Sequence, residues 1–159
     1  MKEIQLTQGK VAFVDDHNYD WLNQWKWCLF ESGNKTYAAR GVKRSNKTKI
    51  VLMHRVVLGL DDTKIYADHK DGNGLNNQIE NLRSCTNQEN QRNRGANNNR
   101  KYKGVWWDKY RNKWKVGIVV SRRLKNIGRF DTEAQAALAY NEAALKYFGE
   151  FAWLNTITD

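Results

Sequence analysis

Four side chains within one short polar stretch have the types that phosphodiester hydrolysis needs. The segment Ala67–Asn90 reads ADHKDGNGLNNQIENLRSCTNQEN; Asp68 and His69 are adjacent, Asn81 lies 12 residues past His69, and Asn90 lies 21 past it. Cleaving a phosphodiester requires an activated water, a cation to neutralise the phosphate, and a fixed orientation for the base. A neutral imidazole near its own pKa can take the proton from water. One carboxylate and one amide oxygen suit a hard divalent ion such as Mg²⁺ and leave positions for phosphate and water. On residue types alone the signal is weak, because an Asp-His pair beside Asn-rich turns is more often structural.

Such a set needs elements to position it. Residues 1 to 60 read as short strands and turns: Lys10–Val14, Tyr37–Val42 and Lys49–Val57 are apolar or β-branched, punctuated by Gly9, Gly33 and Gly41. Asp20–Leu29 fits either a short helix or an aromatic-rich turn and strand. His17, beside Asp15 and Asp16, reads as part of a solvated turn rather than a metal site. Residues 61–90 are polar and Asn-rich, the composition of loops whose side chains bond locally. Gln91–Arg100 reads QRNRGANNNR, a linker composition whose arginines could follow a DNA backbone. The Asn run 97–99 is read as linker, not as a metal cluster.

Beyond Lys101 the pattern changes. Lys103–Trp107, Lys113–Ser121 and Leu124–Phe130 read as three strands; Trp114, Val116, Ile118 and Val120 alternate with Lys115, Gly117, Val119 and Ser121. A helix is predicted from about Glu133 to Phe148, with Thr132 and Gln135 at capping-box spacing and Gly149 at its stop. Charge is segregated here. Lys101–Arg129 holds ten Lys or Arg against the single acid Asp108, whereas Phe130–Asp159 holds one Lys against five acids. So many uncompensated cations repel one another unless an anion is expected, so the strands rather than the helix should meet DNA.

Composition bounds the reading. The 159 residues carry a formal net charge of +10, which favours a polyanionic partner. Seven Trp and seven Tyr supply enough apolar bulk for real, if small, cores. The two cysteines, Cys28 and Cys85, form no CxxC pair, so a ribbon-type zinc site is not expected and free thiols are. No apolar run approaches the roughly 20 residues of a membrane helix, and the N-terminus lacks the apolar core of a signal peptide. A soluble cytoplasmic protein, of a bacterial or phage-infected cell, is expected.

DHKDGNGLNNQIENLR, preceded by MHRVV at Met53–Val57 and followed by TNQENQRN, resembles the HNH homing-endonuclease family of phage and bacterial introns. The resemblance covers roughly residues 50–94. It implies a β-hairpin and helix clasping one metal ion. It implies His69 as general base, Asn81 as the asparagine fixing the hairpin and the base, and Asp68 and Asn90 as metal ligands. The third motif position is Asn90 rather than His, with Asn87 and Asn93 as nearby competitors. Residues before it resemble the leader that precedes this module in such phage proteins, and no separate activity is assigned to them.

The C-terminal part resembles a second family. YKGVWWDKYRNKWKVGIVV, then IGRFDTEAQAALAYNEAALKYFGEFAWLN, is similar to the plant ethylene-response-factor (Apetala-two) DNA-binding domain. That resemblance implies a three-stranded sheet lying in the major groove and backed by one helix. Trp106 and Trp107 stand where plant members commonly carry arginines, and Asn126 replaces a tryptophan. The fold and docking mode carry over; the plant target sequence does not.

The expected fold class is therefore α+β: a ββα-metal HNH nuclease module followed by a small three-stranded antiparallel sheet packed on one helix. The expected divisions are a leader at 1–49, the nuclease at 50–94, a linker at 95–101 and the DNA-binding domain at 102–157. The expected function is metal-dependent, site-specific DNA cleavage of the homing type, nicking one strand, with Mg²⁺ or Mn²⁺ and no zinc, on double-stranded DNA as a monomer. The alternative is a non-catalytic DNA-binding regulator with a decayed nuclease. His54 is a candidate for contact with the scissile phosphate or leaving group, or else a packed structural histidine. Arg83 is placed on a phosphate in preference to an acid. Further DNA contacts are expected from Arg92, Arg94, Arg100, Trp106, Lys109, Arg111, Lys113, Lys115, Arg122, Arg123 and Lys125. Trp106 and Trp107 should point to opposite faces, one into the core.

Overall fold

The computed structural model describes residues 1–96 and 100–157, so the linker expected at Asn97–Asn99 lies outside the described residues. The chain is a mixed α/β protein of several small antiparallel sheets and few helices. It divides into two compact units, Met1–Asn90 and Gln91–Asp159.

The first unit opens with a hairpin of β1 (Lys2–Gln5) and β2 (Val11–Val14), followed by α1 (Asp16–Leu22). Helix α1 starts earlier and ends earlier than the helical alternative for Asp20–Leu29; His17 lies in its first turn, exposed. Strands β3 (Cys28–Ser32), β4 (Lys35–Arg44) and β5 (Lys47–Leu52) form a second sheet in that order. Trp27 anchors the junction: its ring is buried and its Nε1 donates to the Leu22 carbonyl at 2.8 Å. Ile4, Leu6, Ala12, Val14, Leu22, Trp27, Ala38 and Met53 make the core. A two-stranded ladder of β6 (Tyr66–His69) and β7 (Leu82–Cys85) follows, then α3 (Asn87–Arg92).

One strand expectation fails. Lys49–Val57 is not a single strand: β5 stops at Leu52, and α2 (Met53–Val57) begins at the next residue. The β preference of Val56 and Val57 is worth only tenths of a kcal/mol per residue, roughly, and packing overrides it. Met53 is fully buried in the core. The helix stops at Gly59, whose φ of 63° is costly for other residues, and the amides of Leu58, Gly59 and Leu60 return to carbonyls of His54, Val56 and Arg55. His54 therefore heads a helix, not a strand.

The second unit is a three-stranded antiparallel sheet, order β10-β9-β8, packed on α4. Its strands are β8 (Val105–Asp108), β9 (Lys113–Val120) and β10 (Arg123–Phe130), and α4 spans Glu133–Phe148. The Thr132–Gln135 capping box is formed in both directions. Alanines 136, 137, 143 and 144 let α4 approach Val105, Val116 and Ile118 closely. Gly104 has a φ of 74°, and a Cβ there would stand 2.1 Å from the Tyr140 ring. Asn155 closes the unit by bonding both backbone groups of Lys103. Gln91–Ala96 packs on this unit: Arg92 lies 4.7 Å over the Phe148 ring, and Lys103 Nζ donates to the carbonyls of Arg92 and Arg94.

Candidate active site

The β6–β7 ladder sets Asp68 opposite Arg83 and His69 opposite Leu82. Asp68, His69, His54 and Asn90 line one cavity of about 300 Å³. The β3–β4 hairpin supplies much of its other wall. Phe30 pairs with Tyr37 and Ser32 with Lys35, so strand alternation sends all four side chains to one face, and all four line the cavity.

Asn81 does not line this cavity. Its Nδ2 donates to Asp71 Oδ1 at 2.9 Å and to the Asn76 carbonyl at 2.8 Å, and its Oδ1 accepts from the Asp71 amide at 3.0 Å. These bonds tie down the loop between β6 and β7. Gly74 docks that loop on the hairpin, because a Cβ there would meet the Thr36 carbonyl at 2.2 Å and the Tyr37 ring at 2.7 Å. The loop also carries Asn77, which is fully buried; its amide donates to the Phe13 carbonyl and its Nδ2 to the Leu75 carbonyl.

Both cavity histidines are held neutral. Burial lowers the His69 pKa, against the opposing pull of Asn77, Asp71 and Asp68, while the Lys35 charge lowers it further. Burial, then His69 and Arg55, push His54 down to about 3. His54, His69 and Tyr37 form a ring cluster with centroids 4.8 to 6.0 Å apart. A neutral imidazole is the form that accepts a proton.

Arg83, expected on a phosphate, is instead buried and paired with an acid: its Nε and Nη2 stand 3.0 and 2.7 Å from Asp68 Oδ2. The direct cross-strand register makes that pairing the shorter reach. Arg55 is likewise committed, donating to the carbonyls of Leu60, Asp62 and Ile65.

Asp68 and Asn90 present one carboxylate and one amide to the cavity, oxygen donors that fit a hard divalent cation. Asn87 does not line it. Among the described residues no three His, Cys, Asp or Glu side chains are placed so that together they could hold a metal ion. The His54 Nδ1 atom is buried without a hydrogen-bond partner there, a polar edge that a ligand can meet. Cys28 and Cys85 carry free thiols, and burial raises Cys85 to about 11.

The expected DNA contacts of the second unit separate by face. Trp106, Lys113 and Lys115 share the side away from α4, and Arg100 and Lys115 lie 5.8 and 5.5 Å over the Trp106 ring. Lys113 pairs with Asp131, and Arg129 with Asp108. Arg123 and Lys125 pair in register with Val120 and Ile118, and so lie on the helix side; Lys125 Nζ sits over Tyr147. Lys109 and Arg111 fall in the β8–β9 turn and Arg122 in the β9–β10 turn. Trp107, paired with Trp114, faces the helix side but stays 46% exposed at the sheet end.

Lys35, Tyr37, Asn77 and Gly74 escaped the sequence reading as site residues. No local spacing marks them; the signal was the alternation of Phe30, Ser32, Lys35 and Tyr37 about a two-residue turn at Gly33, which says they share a face but not what that face meets.

Comparison with known proteins agrees with the site. The HNH endonuclease family model, HNH_3, matches residues 63–92. A protein of Acanthamoeba polyphaga mimivirus described as an uncharacterized HNH endonuclease is 34% identical over 150 residues, covering 94% of this chain and 77% of the relative. No solved structure matches the chain. The match of the motif segment, together with a relative aligned over nearly the whole chain, places this protein in the HNH endonuclease family, a family of nucleases.

Proposed function

We propose that the chain is a divalent-metal-dependent, site-specific DNA endonuclease of the homing type that nicks one strand. The observation that carries this is the convergence of Asp68, His69, His54 and Asn90 on one cavity inside the family-matched segment. His69 takes the proton from the attacking water, its neutral state favoured by burial. Asp68 and Asn90 would hold the ion, with Arg83 orienting the Asp68 carboxylate. The chemistry such an ion would supply is neutralisation of charge on the phosphate and the departing oxygen. Asn81 keeps the loop and hairpin in register. One base and one oxygen-donor pair support a single cut per bound monomer, and the oxygen chemistry supports Mg²⁺ or Mn²⁺ over zinc.

The second unit is proposed as the DNA-binding domain, with an Apetala-two type sheet presenting Trp106, Lys113 and Lys115 to double-stranded DNA. Its outward basic face and the acidic helix behind it support that docking. The test is supercoiled plasmid bearing candidate sites, incubated with Mg²⁺, Mn²⁺ or chelator. Relaxed circles that need the metal support nicking; linear product points to cutting of both strands; no cleavage with either ion counts against the nuclease reading of the site.

A further inference from the structure

The cavity holds three cations on its wall or just behind it, and two are already committed. Arg83 is locked onto Asp68, and the Arg55 guanidinium is spent on three backbone carbonyls of the loop that follows α2. Lys35 is different. It lines the cavity at the first position of β4, half-buried, and no carboxylate among the described residues pairs with it. A tight turn at Gly33 and Asn34 fixes it opposite Ser32, and Gly74 locks the same hairpin onto the loop that positions the base. The hairpin therefore fixes the Lys35 backbone on the cavity wall, and among the described residues no carboxylate pairs with its ammonium group. Among the described residues, Asp68 is the one carboxylate on the cavity wall, and Arg83 already balances its charge.

We infer that Lys35 binds the scissile phosphate, so that the β3–β4 hairpin is part of the nuclease site and not a mere leader. This rests on the nuclease reading above and adds to it the group that meets the non-bridging phosphate oxygens. A lysine serves as a point charge there, and its place on a rigid strand spares reorganisation as charge builds on phosphorus.

The experiment uses the full chain with Lys35→Met and Lys35→Arg. Both substitutions are at a half-exposed strand position, and circular dichroism melting verifies the fold. Single-turnover nicking by Lys35→Met should fall about 100-fold, with DNA affinity changed by less than about threefold, since one phosphate among many is lost. Lys35→Arg should recover most of the rate. A second readout titrates inorganic phosphate into the metal-free proteins and follows the ring-proton NMR signals of His54 and His69. Saturable shifts in wild type, weakened at least about tenfold in Lys35→Met, support the inference. Phosphate shifts absent from wild type, or unchanged in Lys35→Met, overturn it, whether or not DNA is cut. Wild-type protein that cuts no DNA yet shows Lys35-dependent phosphate binding would remove the nuclease reading, and with it the scissile phosphate, and keep only a phosphate site at Lys35. Equal nicking by wild type and Lys35→Met would keep the nuclease reading and overturn the inference.

Discussion

The imidazole rings of His54 and His69 meet edge to face with centroids 4.8 Å apart, one from α2 and the other from β6. Two buried imidazoles at that distance disfavour charge on each other, and burial adds to the effect. The pair therefore joins the stability of the first unit to the protonation state its chemistry needs.

That relationship predicts a pH dependence of stability. A His54 pKa of about 3 in the folded protein, against 6.5 as its ordinary value, means that the unfolded chain binds the proton more readily. The stabilisation is fully present above the ordinary value and is lost as pH falls through the window toward the folded value. Melting temperature of wild type should thus drop more steeply than that of His54→Phe between about pH 7 and about pH 4.5. Parallel curves would show that the buried imidazole does not titrate on unfolding.

Arg83→Met should be strongly destabilising, because it leaves the Asp68 carboxylate buried without its partner. The loss should be about 3–5 kcal/mol in urea unfolding. Adding Asp68→Asn should recover a large part of it, since the buried charge is then gone. A loss under about 1 kcal/mol for Arg83→Met would mean that water reaches the pair.

Gly74→Ala should uncouple the β6–β7 loop from the β3–β4 hairpin. The added methyl would press on the Thr36 backbone carbonyl, which a side-chain rotation cannot relieve. Unfolding free energy should fall by about 1–3 kcal/mol, and nicking should slow with DNA affinity kept. Wild-type stability and rate would show that the loop moves without consequence.

In the second unit, Lys113→Gln with Lys115→Gln should flatten the salt dependence of DNA binding by about 2 in slope, because up to two phosphate contacts are lost. Arg123→Gln with Lys125→Gln should change it less, since these two lie on the helix side of the sheet. Removing the acids Glu133 and Glu142 by Gln should leave the affinity unchanged or slightly raised. A larger loss from the Arg123 and Lys125 pair would put DNA on the other face.

The parts of this protein that were legible in its sequence are those with strong local periodicity. Trp114 to Val120 alternates cleanly, and Thr132 with Gln135 caps a helix whose bounds, Glu133–Phe148, match the expectation. The break at Leu52 was not legible, because Val56 and Val57 favour a strand locally and only core burial of Met53 and the turn at Gly59 decide for a helix. The pairing of Arg83 with Asp68 depends on strand register, which spacing of 15 residues does not reveal. The motif segment displayed Asp68, His69, Asn81 and Asn90, but Lys35 and Tyr37 reach the same cavity only through the fold. An outward basic sheet was legible as charge, yet the helix-side place of Arg123 and Lys125 follows from pairing across the β9–β10 turn, and the bulge between Asn126 and Gly128 then brings Arg129 to the Lys115 face.

The most direct measurement is cleavage of cognate supercoiled DNA by wild type and His69→Ala, each with Mg²⁺ and with chelator, beside DNA affinity measured on the same preparations. Wild type should nick only with the metal, His69→Ala should lose at least about 100-fold in rate, and the two affinities should agree within about threefold, because cations elsewhere supply binding. Nicking by His69→Ala at the wild-type rate would contradict the role of His69 as the base.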